Sequence, residues 1–327
     1  ASAMARISSG VRAFADFSSS AISGAGGFSQ VGTGTTVFTA NNTYAGTTTL
    51  GAGVLQLGNG GAAGGFVGAT GFVGTSGTLA VNRSDTVTQG TAGSALNNLV
   101  ISGAVGFTQA GTGTTVFDVQ NTYSLRTMVA NGVLALARSG TNTISGAGAI
   151  LVGDGSGAAA SAILRYTSGN DQFGNNAITV NADGLWDLNG RNETTSGAIT
   201  LAGGSIATTT GTLTAVGDIN YNATGNPSGS TITGNLELSG ISRNITVNDS
   251  TAATDDLTVL ATLIGGSTAV YSKYGSGVLV LGGDASNTYA GLFAVGAGTL
   301  KLAKSSGNAF GAGATVDVNG ATILYAG

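Results

Sequence analysis

Histidine and cysteine are both absent from this 327-residue chain, which leaves fifteen carboxylates as its main candidates for acid–base chemistry. The acids that lie near one another are Asp183 with Asp187, Asp187 with Glu193, and the group Asp249, Asp255 and Asp256. Such pairs could cleave a glycosidic bond if two carboxylates faced each other across a groove, about 5–10 Å apart. The same acids stand beside Asn and Gly, where carboxylates commonly cap turns. Arg191 near Glu193 could supply the basic partner of a polysaccharide lyase, or form a surface ion pair. The run LVGDGSG at 151–157 has the flavour of calcium-binding glycine repeats, but it occurs once and without a nonapeptide period. Trp186 could be a sugar-stacking platform or a core residue. Tyr44, Tyr123 and Tyr289 could present hydroxyls at a surface or pack over turns. The turn and core readings are the simpler ones, so the expectation is no catalytic residue, no cofactor and no metal.

Composition narrows the class further. The chain has 58 glycines, one proline, 8% charged residues and 42% apolar residues. Low charge with high hydrophobicity excludes ordinary disorder. Thr, Val, Ile, Gly and Asn dominate and no long helical period occurs, which fits many short strands joined by tight turns. Net charge is −4, with eleven scattered Lys and Arg. No basic stripe is available to neutralise phosphates, so a nucleic-acid partner is not expected. No run reaches the eighteen apolar residues of a membrane helix, so no membrane-spanning segment is expected.

The elements that would position these residues repeat. Residues 32–57 read GTGTTVFTANNTYAGTTTLGAGVLQL and residues 111–136 read GTGTTVFDVQNTYSLRTMVANGVLAL. A looser copy, GSGVLVLGGDASNTYAGLFAVGAGTLKL, covers 275–302. Gly32 and Gly34 begin the first copy. Asn42, Asn121 and Asn287, each followed by Thr-Tyr, stand thirteen residues before the Leu-x-Leu pairs Leu55/Leu57, Leu134/Leu136 and Leu300/Leu302. Alternation at Thr36/Phe38, Thr115/Phe117 and Leu279/Leu281 predicts strands with one buried face. The same holds for Thr48/Leu50, Thr127/Val129 and Phe293/Val295. Each copy therefore reads as three short strands separated by Gly- and Asn-rich corners, which tolerate positive φ. The Gly-x-Gly pairs precede strands rather than helices, so they are not nucleotide loops.

A repeat of this kind predicts an all-β solenoid whose coils stack about 4.8 Å apart as parallel sheets. At roughly 20–25 residues per coil, about 13–16 coils would form one elongated domain over 21–327. Residues 1–20 differ in composition. They read as an N-terminal cap, or as an arm that adds to a neighbouring subunit through Arg6, Ile7, Val11, Arg12, Phe14 and Phe17. The start Ala1-Ser2-Ala3 suits a chain from which a leader has been removed, or an arbitrary boundary.

The pattern Gly-x-Gly, Asn-Thr-Tyr-x-Gly-x-Thr, Gly-x-Leu-x-Leu resembles the passenger-associated, or autotransporter-associated, β-strand repeat of bacterial secreted surface proteins. The match is close at 32–57, fair at 275–302 and partial at 111–136, where Ser124-Leu125 replaces the expected x-Gly. LWDLNG at 185–190 is similar to another recurring segment of such passengers. The resemblance implies a right-handed parallel β-helix, export by way of a cleaved signal peptide, and a role outside the cell in adhesion, aggregation or matrix. No segment resembles the membrane β-barrel of a full autotransporter, so either a passenger fragment or a free-standing extracellular protein is expected. The leading expectation is a non-enzymatic structural or adhesive protein of a bacterial surface or biofilm matrix. Its partner would be itself, end to end into filaments, with residues 1–20 and the coil near 314–327 as the joint; cell-surface or matrix components are further candidate partners. One alternative is a monomeric passenger binding host or glycan surfaces. The other is a carbohydrate-active β-helix.

Overall fold

Strands of two to eleven residues recur along the whole of the computed structural model, which describes residues 5–7, 15–16, 21–146, 148–238 and 242–326. No helix occurs among them, and so none is long and apolar enough to cross a membrane. The chain divides into two compact units. The first comprises Ala1–Leu151 with Ala162–Phe173, and the second Val152–Ser161 with Gly174–Gly327.

In the first unit three parallel sheets are built coil upon coil. One runs Ala5–Ile7, Phe28–Gln30, Thr47–Leu50, Gly71–Gly74, Ser102–Gly103, Thr122–Tyr123. A second runs Ala15–Asp16, Thr35–Phe38, Val54–Leu57, Thr78–Val81, Gly106–Gln109, Thr127–Val129. The third runs Thr86–Thr88, Thr114–Phe117, Gly132–Leu136, Ala162–Tyr166. The second unit repeats the plan, with one sheet of Ile178–Asn181, Ile199–Ala202, Ile219–Tyr221, Arg243–Val247, Val270–Tyr274, Leu292–Val295 and Thr315–Val318. Its other sheet runs Gly184–Asp187, Ser205–Ala215, Ser230–Leu238, Leu257–Val259, Val278–Gly283, Thr299–Lys304, Thr322–Tyr325. The long strand Ser205–Ala215 stacks on Gly184–Asp187 with its first part and on Glu193–Thr195 with its last. Its pairing with Ser230–Leu238 shifts register between Ala207 and Thr212. Both units are thus parallel β-solenoids, as the repeat predicts.

Period-two alternation turns each inward position into a column of like residues. In the second unit Ile178, Ile199, Ile219 and Ile245 stack in register and are 2% exposed or less. Trp186, Ile206, Ile232, Val259 and Leu281 form another column, all at 3% or less. Burying each such side chain stabilises the coil by about 1.5–3 kcal/mol. The inward positions expected from the sequence are buried, with one exception. Leu302 is half-buried, because it borders an open cavity of about 340 Å³ shared with Phe310, Val316, Ile323 and Tyr325.

Two features of the repeat differ from the sequence reading. Each copy begins one strand earlier than the Gly-x-Gly, at Phe28–Gln30, Gly106–Gln109 and Val270–Tyr274. A repeat is therefore four strands arranged as two successive stacked pairs. Phe28 pairs with Thr48 and Thr36 with Leu55; Phe107 pairs with Thr127 and Thr115 with Leu134; Tyr271 pairs with Phe293 and Leu279 with Leu300. Moreover, the two copies in the first unit occupy different faces. The opening strand of the second copy, Gly106–Gln109, stacks on Thr78–Val81, which stacks on Val54–Leu57, the closing strand of the first copy. The intervening coils advance the motif by one face.

Stacking explains the invariant corner glycine. Gly53, Gly132 and Gly298 have φ of 72°, 65° and 66°. A Cβ on Gly132 would lie 2.4 Å from the carbonyl oxygens of Gly111 and Gly113, the Gly-x-Gly of the coil before. Gly53 and Gly298 meet their own Gly-x-Gly carbonyls in the same way. Gly60 also has positive φ, 84°, but open space around it. Gly132→Ala is therefore expected to cost about 3 kcal/mol or more, combining αL strain with a backbone collision, whereas Gly60→Ala should cost about 1 kcal/mol. Urea denaturation followed by circular dichroism measures both; equal losses would show that conformation alone, not the stacked carbonyls, restricts Gly132.

Candidate functional site

The polar residues that define the repeat point inward, and each meets the neighbouring coils. Asn42, Asn121 and Asn287 are at most 3% exposed. Their Oδ1 atoms accept the backbone N–H of Ile22, Ile101 and Leu263 in the coil before, at 2.8, 2.9 and 2.8 Å. Asn42 Nδ2 donates forward to the Gly65 carbonyl at 3.0 Å, and Asn287 Nδ2 to Ala309 at 2.8 Å. In the second copy Asn121 instead exchanges two hydrogen bonds with the Gln89 amide, at 2.7 and 2.8 Å. An Asn side chain here acts as an extra peptide group laid along the stacking axis. It satisfies corner groups that would otherwise be buried without partners.

A second inward polar position lies two residues before each Gly-x-Gly, and sequence reasoning missed its role. Gln30 Nε2 donates to the carbonyls of Gly34 and Val54 at 2.8 and 3.1 Å. Gln109 Nε2 donates to Gly111 and Gly113 at 2.8 and 3.2 Å, while the Thr115 hydroxyl donates to Gln109 Oε1 at 2.6 Å. The third copy carries Lys273 at this place, fully buried in the column between Ile245 and Val295. Its Nζ donates to Gly275, Gly277 and Ala297 at 2.7, 2.7 and 2.8 Å. Burial pushes the ammonium down from its ordinary 10.5 to about 8, while the Asp256 carboxylate opposes that shift. The available signal was the shared opening, FSQ at 28–30 and FTQ at 107–109, with Lys273 in the corresponding slot.

The three repeat tyrosines are core residues. Tyr44 and Tyr123 hydroxyls share hydrogen bonds with Thr48 and Thr127 at 2.6 and 2.7 Å. Their rings pack with Phe28 and Phe107, whose rings in turn lie edge-on to Phe38 and Phe117 at 4.8 and 4.6 Å. In the third copy Phe293 replaces the threonine, and Tyr289 donates to the Ala269 carbonyl at 2.8 Å instead. Tyr289 stacks on Tyr271, ring centroids 4.0 Å apart. Burial raises all four tyrosines above their ordinary 10, Tyr289 to about 12.

Four of the acids weighed for catalysis, Asp183, Asp187, Asp255 and Asp256, are held by the scaffold. Asp183 is buried and accepts the Asp154 and Gly155 N–H groups at 3.2 and 2.7 Å, while Asp187 accepts Asn189 N–H at 2.8 Å. Asp256 is buried and accepts the N–H groups of Ser250 and Val278, both at 2.8 Å; its neighbour Asp255 points outward to Lys301 at 3.0 Å. Glu193 is buried whereas Arg191 and Asp249 are exposed, so Arg191 and Glu193 do not make the surface pair their spacing allowed. Trp186 is fully buried and offers no stacking face. Asp154 in LVGDGSG is exposed and accepts the Ser156 N–H at 2.8 Å. Among the described residues no three His, Cys, Asp or Glu side chains cluster as a metal site would require. Of the candidate arm, Arg6 and Ile7 lie in a strand that pairs with Ser29 and Gln30; Val11, Arg12, Phe14 and Phe17 lie outside the described residues.

The model of the passenger-associated-transport-repeat matches the chain at residues 28–57, 107–136 and 272–302. Its boundaries take in the early strand of the first two copies, the later part of that strand in the third, and the Gln/Lys position in all three, so the unit recognised in sequence largely coincides with the two-coil unit seen in structure. No curated protein and no solved structure matches the chain.

Replacing Lys273 separates the roles of donor and charge. Lys273→Gln reproduces the other copies and should leave stability at neutral pH unchanged or improved, whereas Lys273→Met takes the side-chain donor from three carbonyls, of which Gly277 keeps the Thr299 N–H, and should cost about 2 kcal/mol. Between pH 8 and 10.5 the unfolded chain holds this proton and the folded chain releases it, so wild-type stability should rise with pH there. Above pH 10 the raised tyrosines act oppositely: the unfolded chain ionises first and stability falls. Denaturation midpoints across pH 7–11 should therefore show a rise and then a fall in wild type, with the rise reduced in Lys273→Gln to the part contributed by Lys304, which burial also pushes below its ordinary 10.5. A rise that survives the substitution undiminished would assign it to other groups.

Proposed function

We propose that this chain, a β-solenoid carrying the autotransporter-passenger repeat three times, is a non-enzymatic structural and adhesive protein that works outside a bacterial cell by self-association. The observation that carries this reading is the use of its reactive side chains. Asp183, Asp187 and Asp256 cap backbone N–H groups, Asp255 pairs with Lys301, Lys273 caps carbonyls, and Trp186 fills a column. These groups stabilise stacked coils and leave little for substrate chemistry. A surface with 8% charged residues in the chain also permits close approach of copies with weak repulsion. Passenger repeats belong to exported proteins, and a cleaved signal peptide is the proposed route. In the strongest form copies meet end to end, through residues 1–20 of one and the coil near 314–327 of the next, as a heterologous contact that does not close.

Sedimentation velocity and negative-stain microscopy of the full chain over a concentration series are expected to show association that grows with concentration. If the joint is end to end, deleting residues 1–20 abolishes filaments; a lateral contact survives the deletion. Incubation with polysaccharides should release no reducing or unsaturated sugar ends. Their release, with loss on Asp187→Asn, would overturn the non-enzymatic reading.

A further inference from the structure

Asparagine stands directly before glycine four times, at Asn59, Asn131, Asn189 and Asn319. The pair carries a reaction of its own. Glycine has no Cβ to obstruct its backbone nitrogen, which can attack the carboxamide carbon of the asparagine before it. Attack needs a nitrogen free to approach Cγ from above the carboxamide plane, so a hydrogen bond that fixes the nitrogen elsewhere must open first.

At three of the pairs the glycine nitrogen is held. Gly60 N–H donates to the Asn82 carbonyl at 2.8 Å and Gly190 N–H to the Thr208 carbonyl at 3.2 Å. Gly132 N–H donates to Asn131 Oδ1 at 2.8 Å, which keeps the nitrogen in front of the oxygen rather than above the carbon. Gly132 is also buried against the carbonyls of Gly111 and Gly113. The fourth pair differs. Asn319 and Gly320 lie in the turn between Thr315–Val318 and Thr322–Tyr325, and both are exposed. Asn319 N–H is anchored to Val295 at 3.0 Å and Thr322 N–H to Gly298 at 2.9 Å. Between these anchors the Gly320 N–H and the Asn319 carboxamide have no hydrogen-bond partner among the described residues. Gly320 has a φ of 71° and open space where a Cβ would stand.

We infer that Asn319 is a site of spontaneous, enzyme-free deamidation. The Gly320 nitrogen gives its proton to solvent hydroxide and bonds to Asn319 Cγ. The Cγ–Nδ2 bond breaks, and ammonia leaves with a proton taken from water. The five-membered succinimide then takes up one water. Opening at Cγ leaves an aspartate, and opening at the main-chain carbonyl leaves an isoaspartate whose backbone runs through Cγ. Water is the only co-reactant, and an exposed turn supplies it. Each event adds one negative charge to a chain of net charge −4. An isoaspartate also places one further carbon in the main chain between two anchored strands. The inference does not depend on the function proposed above.

Ageing the full chain at mildly alkaline pH, beside a sample kept in urea, tests this. Digestion with pepsin in acid, where succinimide formation is slow, and mass spectrometry with electron-transfer fragmentation read aspartate and isoaspartate at each pair. In the folded chain Asn319 should convert about tenfold or more faster than the other three, because no hydrogen bond has to open first. In urea the four rates should converge. Methyl transfer by an isoaspartyl methyltransferase should label the aged wild type far more than aged Asn319→Gln, whose attack would have to close a six-membered ring. The comparison of the four pairs within wild type needs no variant to fold. Four equal rates in the folded chain, or a faster rate at Asn59, Asn131 or Asn189, would overturn the inference. So would rates that keep the same spread in urea, since the preference would then lie in local sequence and not in the fold.

Discussion

Each coil turns its chain through several corners, and at the corners of the repeat peptide groups are drawn inside where water cannot reach them. Those groups must find partners in the coil before or the coil after. The columns of Ile, Leu and Phe supply most of the favourable burial, but apolar columns place no constraint on where one coil sits over the next along its circuit. Corner hydrogen bonds do. Asn42, Asn121 and Asn287 hold the N–H of a preceding coil, and Gln30, Gln109 and Lys273 gather the carbonyls of a Gly-x-Gly turn. Gly53, Gly132 and Gly298 then allow the following coil to pass over the same turn. One repeat is a two-coil unit in which the second coil closes the polar account of the first.

Substitution within this unit is tolerated where hydrogen-bonding capacity is conserved. Lysine stands in for glutamine because both deliver N–H donors to the same carbonyls, although lysine also buries a charge and so depends on Asp256 nearby. Phe293 stands in for threonine, and the tyrosine hydroxyl beside it turns to a backbone carbonyl instead. Two added residues at the corner before Asn287 lengthen the coil without disturbing the pairing of Leu279 with Leu300. These constraints do not touch the outward positions. Their freedom to lose charge altogether over residues 21–82 is a property of the surface, since the interior requirements are the same in coils that do carry charge.

Much of this was legible in the residues. Equal spacing from Asn to Leu-x-Leu specified strands, and alternation at Thr36/Phe38 or Leu134/Leu136 specified which side was buried, because both depend only on the period of the backbone. The preference of Asp183 and Asp187 for turn capping was also legible, since Asp beside Gly and Asn favours that geometry locally. The burial of Glu193 beside an exposed Arg191 was not, because it depends on which face of a coil stacks against Leu213.

Sequence alone determined that this chain is a stack of short parallel strands with a repeating polar corner, since period and spacing are local properties that any folded form must respect. Tertiary structure decided which atoms those corners engage. It made Lys273 a plug for three carbonyls and Gly132 a site without room for a methyl group, and it moved the second copy of the motif one face around from the first. The Ala297 carbonyl at Lys273 and the Gly111 and Gly113 carbonyls at Gly132 are about twenty residues away in the chain and one strand spacing away in space, so these contacts exist only once coil lies upon coil.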